Sequence, residues 1–226
     1  MAINYNTPLP LPTHIGIASI ELHAINAVAY SQSPFTFQGQ AHAYSGEIWT
    51  ADVSLPKMKR SDAERWIAFL MSLRGQYHTF LLGDPNGKSV IDDASSLTIT
   101  GTTGERVVDA NVPSGETIKA GDYFSLGTGN NQRLYKVLSD YTGTGSLQSN
   151  VLDIWPALRA GASAESADLT TPQGRFRLAS SDTKWSINDA SFYGLTFGAT
   201  EALWAALYLQ VCLLNSPLVR LNYSMP

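Results

Sequence analysis

The sequence predicts a mainly β protein with one clear α-helix, and three observations support this fold class. Apolar and polar residues alternate over several stretches, as in residues 44–55, which is typical of half-buried strands. A single segment, residues 61–74, combines helix start and stop signals with apolar side chains at helical spacing. Between residues 86 and 166, short apolar runs recur about every ten residues between Gly, Asn, Ser and Thr turns. We expect a β-sandwich or split barrel built from both chain ends, with an inserted small all-β module.

The N-terminal segment is predicted to be an extended arm. Residues 1–12 contain Pro8, Pro10 and Pro12. Proline lacks the backbone N–H that a strand ladder uses and favours extended conformations. Such a stiff arm is suited to lying across a neighbouring molecule.

Strands are predicted in the first part of the chain from alternating residue types, over 15–28, 35–39 and 44–55. In the third of these, one face is formed by four apolar residues, Trp49, Ala51, Val53 and Leu55. Because successive strand residues point to opposite sides, these four are predicted to lie in the core. Pro56 then ends the strand.

The helix is predicted to begin with a capping box. Ser61 is the expected N-cap, and Glu64 three residues later would reach back to its backbone N–H. The apolar positions that follow at helical spacing are Trp66, Ile67, Leu70 and Leu73. Arg74 and Gly75 are expected to supply a basic last turn and a C-terminal glycine.

The texture of the sequence divides the chain into four segments. Residues 1–85 and 167–203 share one style and are expected to form a single β domain, interrupted by the module 86–166. Small residues at 160–167 indicate a linker at the end of the module. Residues 204–226 form an apolar tail, interpreted either as a short helix that packs on a neighbour or as a segment outside the ancestral fold.

Composition excludes several classes of function. With 15 basic and 19 acidic residues the net charge is −4, which argues against a nucleic-acid binder because phosphate neutralisation needs an excess of Lys and Arg. A single cysteine, Cys212, excludes a disulfide framework. We expect a protein made in the cytoplasm with no signal peptide, because its first residues lack a basic region followed by an apolar run. We also expect no membrane insertion, because the longest apolar run, 203–214, is too short to span a bilayer of about 30 Å as a helix. Charged residues make up only 15% of the chain, which suits a protein that packs against copies of itself.

The sequence predicts no catalytic residue, no cofactor site and no metal site. The four histidines, His14, His23, His42 and His78, lack zinc-ligand spacing. The glycines of 121–129 precede no Gly-Lys-Ser/Thr motif, and Asp92, Asp93 and Asp140 do not form a calcium loop. An enzyme is therefore not expected.

Aromatic residues are the remaining candidates for specific binding. Trp49, Trp66 and Trp185 lie on apolar periodicities and are predicted to be core residues. Candidate surface-binding aromatics, which could stack on sugar rings, are Tyr135, Tyr141 and Trp155.

Three groups of motifs occur in a characteristic order between residues 35 and 203. The first comprises Tyr44-Ser45-Gly46-Glu47-Ile48-Trp49, Leu55-Pro56-Lys57-Met58, Trp66-Ile67-Ala68-Phe69-Leu70, Leu73-Arg74-Gly75 and Phe80-Leu81-Leu82-Gly83-Asp84-Pro85. The second comprises 118–124, 133–137 and 154–159, and the third comprises 174–178, Trp185 and 193–197. This layout resembles minor tail proteins of long, non-contractile (siphophage) bacteriophage tails, in particular the distal tail protein that joins the tail tube to the tail tip.

The resemblance implies a virion structural protein at the distal end of the tail. It implies a six-fold ring around the DNA-ejection channel, with the tail tube protein and the tail-tip hub and tape-measure proteins as partners. Genomic DNA would pass through without specific binding. The resemblance implies no catalytic residues, and its pattern ends near residues 198–203, before the apolar tail. Candidate inter-subunit contacts are Pro8, Pro10, Pro12, Arg65, Trp66 and Arg74.

Two alternatives remain open at this point. One is a trimeric tail-tip hub component, which differs from the ring in its number of copies. The other is a carbohydrate-binding module that contacts a host-surface glycan through the surface aromatics named above.

Overall fold

The structure is a computed structural model that describes residues 6–89, 91, 97–187 and 191–203. In this part of the chain it is mainly β with one α-helix, which confirms the predicted fold class. The elements are β1 (Ser19–Gln32), β2 (Gly39–Ser54), α1 (Arg60–Ser72), β3 (Phe80–Leu82), β4 (Thr98–Gly101), β5 (Val107–Asn111), β6 (Thr117–Ile118), β7 (Tyr123–Leu126), a 3-10 turn (Gly129–Asn131), β8 (Arg133–Val137), β9 (Tyr141–Thr142), β10 (Gln148–Trp155), β11 (Ala162–Ser166), β12 (Gly174–Leu178), β13 (Trp185–Ile187) and β14 (Tyr193–Glu201). The apolar tail, 204–226, lies outside the described residues.

The first sheet joins strands from both parts of the chain. Its order is β1–β2–β14–β12–β3, and β13 pairs with β14. The late strand β14 lies between β2 and β12, with Phe197 opposite Val53 and Glu201 opposite Phe176. All of these pairings are antiparallel. Residues separated by the whole β4–β11 segment therefore share one hydrogen-bonded sheet and one hydrophobic core.

The buried face of β2 agrees with the sequence pattern. Trp49, Ala51, Val53 and Leu55 are all buried. The helix α1 contributes to the same core through Ala63, Trp66, Ile67, Phe69 and Leu70. Aromatic rings interlock there, with the Trp66 and Phe69 rings each in contact with a ring from the sheet. Ring contacts of this kind stabilise a core beyond simple area burial.

The predicted helix ends were wrong. The N-cap is Lys59, which makes no side-chain cap, and its carbonyl accepts the N–H groups of Asp62 and Ala63 at 3.1 and 3.0 Å. Ser61 therefore lies inside the first turn, where its hydroxyl is not placed to cap. At the other end, Arg74 lies beyond the helix with φ of 51°, followed by Gly75 with φ of 66°. The reversal needs two left-handed residues, so Arg74 adds no basic charge to the last helical turn.

The second sheet forms a nearly closed barrel with its own core. Its order is β11–β4–β5–β10–β8–β7, and β6 pairs with β9 in a separate ribbon. Ser125 on β7 and Asp168, just after β11, exchange two backbone hydrogen bonds of 2.9 Å. These bonds join the two ends of the strand order, which leaves little open edge on this unit.

The predicted linker at 160–167 is instead the strand β11. It pairs with β4, with Glu165 opposite Ile99, and both Ala162 and Ala167 are buried. Small side chains fit here because the segment closes the barrel, and its backbone groups need ladder partners.

Of the predicted strand 35–39, residues 35–38 lie in the loop that joins β1 to β2, and Gly39 begins β2. The N–H of Ser33 donates to Gln38 O at 3.0 Å, and the N–H of Phe37 donates to Ser33 O at 2.9 Å. Phe37 has φ of 56°, which no strand allows. The alternation of Phe and Thr therefore does not reflect a buried face, because both phenylalanines, Phe35 and Phe37, are exposed.

Candidate assembly surface

A long exposed element of the described structure is the outer part of the β1–β2 hairpin, here called the hairpin arm (residues 24–46). The two strands pair from Ser19–Ser54 out to Gln32–Gly39. The next strand, β14, pairs with β2 only over Thr50–Ser54. Beyond that point no third strand among the described residues pairs with the hairpin, and every residue of the arm except Ser33 is exposed.

The hairpin arm carries no charge. Residues 22–46 contain no Asp, Glu, Lys or Arg, although these residues make up 15% of the chain. Charged side chains are the usual occupants of exposed protein surface and are depleted from the centres of interfaces. An exposed element with this composition is typical of a surface that another molecule covers.

Large apolar side chains project from the arm in place of charges. The exposed ones are Ile25, Val28, Tyr30, Phe35, Phe37 and Tyr44. At the tip, Phe35 is 91% exposed and Phe37 is 74% exposed. Aromatic residues of this kind are enriched at the centres of protein interfaces.

Local hydrogen bonds hold the tip in one conformation. Ser33 Oγ accepts the N–H groups of Phe35 and Thr36, both at 3.4 Å. Gln32 Nε2 donates to Phe37 O at 2.9 Å. The loop therefore presents its two phenylalanines from a defined turn, which lowers the entropy lost on binding.

A glycine supports the arm between its strands. The Tyr30 side chain lies across Gly39, where a Cβ atom would collide with the phenol ring. Glycine at this position lets an aromatic side chain pack flat on the strand pair.

The inner part of β1 is an open sheet edge. β1 pairs with β2 on one side and with no strand of the described residues on the other. It contains no Lys or Pro, the residues that commonly protect edge strands, and Glu21 is its one charged residue at neutral pH. At the other end of the sheet, β3 is short and its edge is covered, since the Leu9 N–H donates to Thr79 O at 2.8 Å.

At the root of the arm, Glu47 ties the first sheet to the barrel. Its carboxylate accepts Arg106 Nη2 at 2.8 Å, Arg106 Nε at 3.0 Å and the Ala157 N–H at 2.6 Å. Glu47 is buried on β2, whereas Arg106 and Ala157 belong to the barrel segment. These are charge-assisted hydrogen bonds, which are stronger than neutral ones.

Arg159 makes a second connection between the barrel segment and the first sheet, next to that of Glu47. Its Nη2 donates to Glu201 Oε2 at 2.8 Å and to Glu47 O at 2.6 Å. Glu201 is buried on β14 and also accepts the Trp49 N–H at 3.3 Å. The four charged residues Glu47, Arg106, Arg159 and Glu201 are called the junction cluster below. The cluster fixes the barrel against the sheet from which the arm projects.

Tyr135 belongs to this junction, and the prediction that it is a surface-binding aromatic was wrong. It is 1% exposed, stacks on Phe124 at 5.3 Å between ring centroids, and accepts the Arg159 N–H at 3.0 Å. Burial raises the pKa of the Tyr135 phenol to about 12, although the hydrogen bond from Arg159 acts in the opposite direction. The alternating pattern of β8 did not show that both faces of this strand are covered.

The other two candidate aromatics are partly buried. Trp155 packs edge-on against Trp49 at 4.4 Å, and its Nε1 donates to Asn26 Oδ1 at 2.7 Å. Trp155 therefore links the barrel segment to the base of the hairpin arm, at Asn26. Tyr141 packs against the barrel core.

Two of the six candidate inter-subunit residues are buried within the chain itself, so those predictions were wrong. Trp66 is 1% exposed because α1 turns it into the core, and Pro8 is buried because its neighbour Leu9 is bonded to the β3 segment. Pro10, Arg65 and Arg74 are exposed, and Pro12 is partly exposed.

One more core prediction was wrong. Trp185 is 45% exposed, because β13 pairs with β14 at the margin of the sheet. No sequence motif indicated the hairpin arm, although the uncharged run 22–46 was a signal for it.

The described residues contain no group of three or more His, Cys, Asp or Glu side chains that could hold a metal ion. Asp140 instead accepts the Ala120 N–H at 2.7 Å. Asp92, Asp93 and Cys212 lie outside the described residues. Nor does any helix in the described ranges have the length and apolar character needed to cross a membrane.

Comparison with known proteins identifies no family. No protein-family model matches the sequence, and no curated protein matches it. The hairpin arm, the open edge of β1 and the motif order are therefore the features from which a function can be argued.

Proposed function

We propose that the chain is a virion structural protein, the subunit of the distal tail ring of a long, non-contractile phage tail. The observation that supports this best is the open edge of β1, which continues into an uncharged arm. A ring needs a subunit surface that other subunits complete, and an unprotected edge strand is such a surface. The motif order supplies the resemblance to the distal tail protein.

The charge distribution suits this role. Neutral side chains lose little hydration energy on burial, so each contact between copies has a small desolvation cost. A net charge of −4 does not attract DNA, and a conduit for DNA ejection must not bind its cargo. In this proposal six copies form the ring, and the tail tube protein and the tail-tip hub are its neighbours.

The structure offers less support for the carbohydrate-binding alternative. That alternative rested on exposed aromatics, but Tyr135 is buried and both Tyr141 and Trp155 are partly buried. A sugar-binding platform needs exposed aromatic faces. The hub alternative differs in copy number and is separated by the experiment below.

Native mass spectrometry and negative-stain microscopy of the full chain test the proposed function. We expect six-copy assemblies that appear as rings with a central channel. Trimers would favour the hub, and a chain that stays monomeric at about 100 μM would contradict assembly through its own surfaces.

A matched pair of variants tests the role of the edge. Ile25→Lys places a charge on β1, whereas Leu138→Lys places one on the barrel, and the two side chains are similarly exposed at 48% and 50%. We expect the first variant to lose rings, since a lysine on an edge strand opposes strand pairing. The second variant should keep them. Equal behaviour of the two variants would contradict an edge-based ring.

A further inference from the structure

We propose that the hairpin arm is a docking element whose tip phenylalanines, Phe35 and Phe37, bury themselves in a second copy of this chain. The proposal rests on the proposed function, in that the chain self-assembles, and it names the surface and the anchor residues. It concerns the tip of the arm, the loop that carries Phe35 and Phe37, whereas the edge variant Ile25→Lys above places its charge near the base of the arm.

The outer part of the arm makes no side-chain hydrogen bond to the rest of the described chain. The arm's last side-chain tie to the body is the bond from Trp155 Nε1 to Asn26 Oδ1. Beyond Val28 and Ala43, the hydrogen bonds seen in the arm run between its own two strands or within its loop. A two-stranded ribbon alone is only marginally stable in water. A partner molecule packed against this ribbon would stabilise it.

The apolar area of the arm is sufficient for a specific interface. Four of its exposed residues are aromatic, namely Tyr30, Phe35, Phe37 and Tyr44. Since burying an aromatic side chain removes about 150–250 Å² from water, covering their exposed parts removes on the order of 500 Å². Ile25 and Val28 add to this area. A standard interface buries about 800 Å² on each partner, so the arm supplies a large part of one.

The absence of charge favours a second copy as the partner. A nucleic acid would require Lys or Arg on the arm, and residues 22–46 have neither. A foreign protein selected by charge complementarity would require charges of one sign. All 34 acidic and basic residues lie outside the uncharged run, so an arm meets an identical acidic chain without like-charge repulsion.

The geometry of the tip gives a head-to-tail contact. The arm projects from one end of the sheet, and its phenylalanines are at the far end of the hairpin. Such a projecting side chain is suited to a different surface on the next copy, and a contact between unlike surfaces forms a ring where its rotation closes.

The test compares a tip variant with a matched control in the full chain. The tip variant is Phe35→Ser with Phe37→Ser, and the control is Leu138→Ser with Leu147→Ser, which changes two exposed apolar side chains of the barrel segment. Sedimentation velocity over a concentration series measures self-association. We expect the tip variant to self-associate at least tenfold more weakly than the wild type and the control to match the wild type. Thermal unfolding followed by circular dichroism should confirm that each variant is folded.

A photo-crosslinking amino acid at position 35 identifies the partner directly. We expect irradiation of the purified chain to give a covalent product of two chains. The product should require assembly and disappear on dilution. A crosslink within one chain to residues 204–226 would overturn the proposal, as would flotation with neutral phosphatidylcholine vesicles that depends on the tip while no two-chain product forms.

The outcomes separate this proposal from the proposed function. Rings that form equally well in the tip variant would overturn docking by the arm while leaving the distal tail ring in place. Two-chain products from position 35 in an assembly of two or three copies would support the arm and contradict the six-fold ring.

Discussion

The hairpin arm and the junction cluster use charge in opposite ways. The hairpin arm carries no charged side chain although every residue of it except Ser33 is exposed. The next residue along β2, Glu47, is buried and bonded to Arg106, and Glu201 on β14 is buried and bonded to Arg159. Charges are thus buried where two parts of one chain meet and absent where the chain projects into solvent.

The contrast follows from the physics of ion pairs. A buried ion pair gains little net stability, but breaking it is costly, so it fixes the orientation of the groups that it joins. Between separate molecules that must first meet in water, charges carry a desolvation cost, whereas apolar contacts do not. The junction cluster therefore holds the barrel to the sheet, and the arm is left suited to meet another molecule.

The largest effect is expected from Arg159→Ala. Glu201 would keep its buried carboxylate without its cation, because only 2% of that side chain is exposed. Removing one partner of a buried pair typically costs about 3–5 kcal/mol of unfolding free energy. Urea unfolding followed by tryptophan fluorescence would measure it.

The control for Arg159 is Arg60→Ala. Arg60 pairs with Glu64 on the helix surface at 3.3 Å, and both side chains are largely exposed. Its loss should cost less than about 0.5 kcal/mol. A loss of unfolding free energy below 1 kcal/mol for Arg159→Ala would mean that the junction cluster does not hold the barrel against the first sheet.

The next effect is a loss of stability at high pH that depends on Tyr135. The folded pKa of its phenol is about 12 and the unfolded value is about 10. Below pH 10 the phenol is neutral in both states, so it contributes no pH dependence. As the pH rises from 10 to 12 the unfolded chain releases its proton first, and the folded state loses about 2–3 kcal/mol.

Tyr135→Phe would remove this alkaline dependence. Near pH 7 the variant should be less stable by about 1 kcal/mol, because the Arg159 N–H loses its acceptor. Chemical unfolding of both proteins at pH 8, 10 and 11 compares the slopes. Equal slopes would contradict a buried, protonated Tyr135.

The sequence predicted the mainly β fold with one helix because its signals are local. A strand with one buried face has apolar residues at every second position, as at Trp49, Ala51 and Val53, and the structure buries all three. The helix was found from its apolar spacing, but its first residue was missed because Lys59 caps through its backbone carbonyl alone.

The candidate site was harder to predict because exposure is not local. Tyr135 resembles a surface aromatic until β7 and β10 are seen on either side of its strand, and Trp185 resembles a core residue until β13 is seen at the margin of the sheet. The hairpin arm overlapped three predicted strands, 15–28, 35–39 and 44–55, since nothing in an alternating pattern says how far a strand extends or whether another strand lies beside it. Its lack of charge was the one informative signal.

A smaller effect is expected from Arg106→Ala, because this side of the junction cluster reaches solvent. The Arg106 side chain is 54% exposed, and Glu47 keeps the Ala157 N–H as a donor at 2.6 Å. We expect a loss of about 1 kcal/mol in urea unfolding, well below that of Arg159→Ala. A loss as large as that of Arg159→Ala would show that Glu47, not Glu201, is the main anchor of the barrel.

The smallest effect on the unfolding free energy is expected from Phe35→Ser combined with Phe37→Ser. Both side chains project from the loop between β1 and β2 and are largely solvated in the single chain, so little buried area is lost. At concentrations where the chain is monomeric, the change should stay within about 0.5 kcal/mol. At concentrations where it assembles, the wild type should melt at a higher temperature than the variant, because binding between copies stabilises only the folded state. A stability gap that is independent of concentration would mean that the phenylalanines support the fold of their own chain, and the contrast between the arm and the junction cluster would then fail.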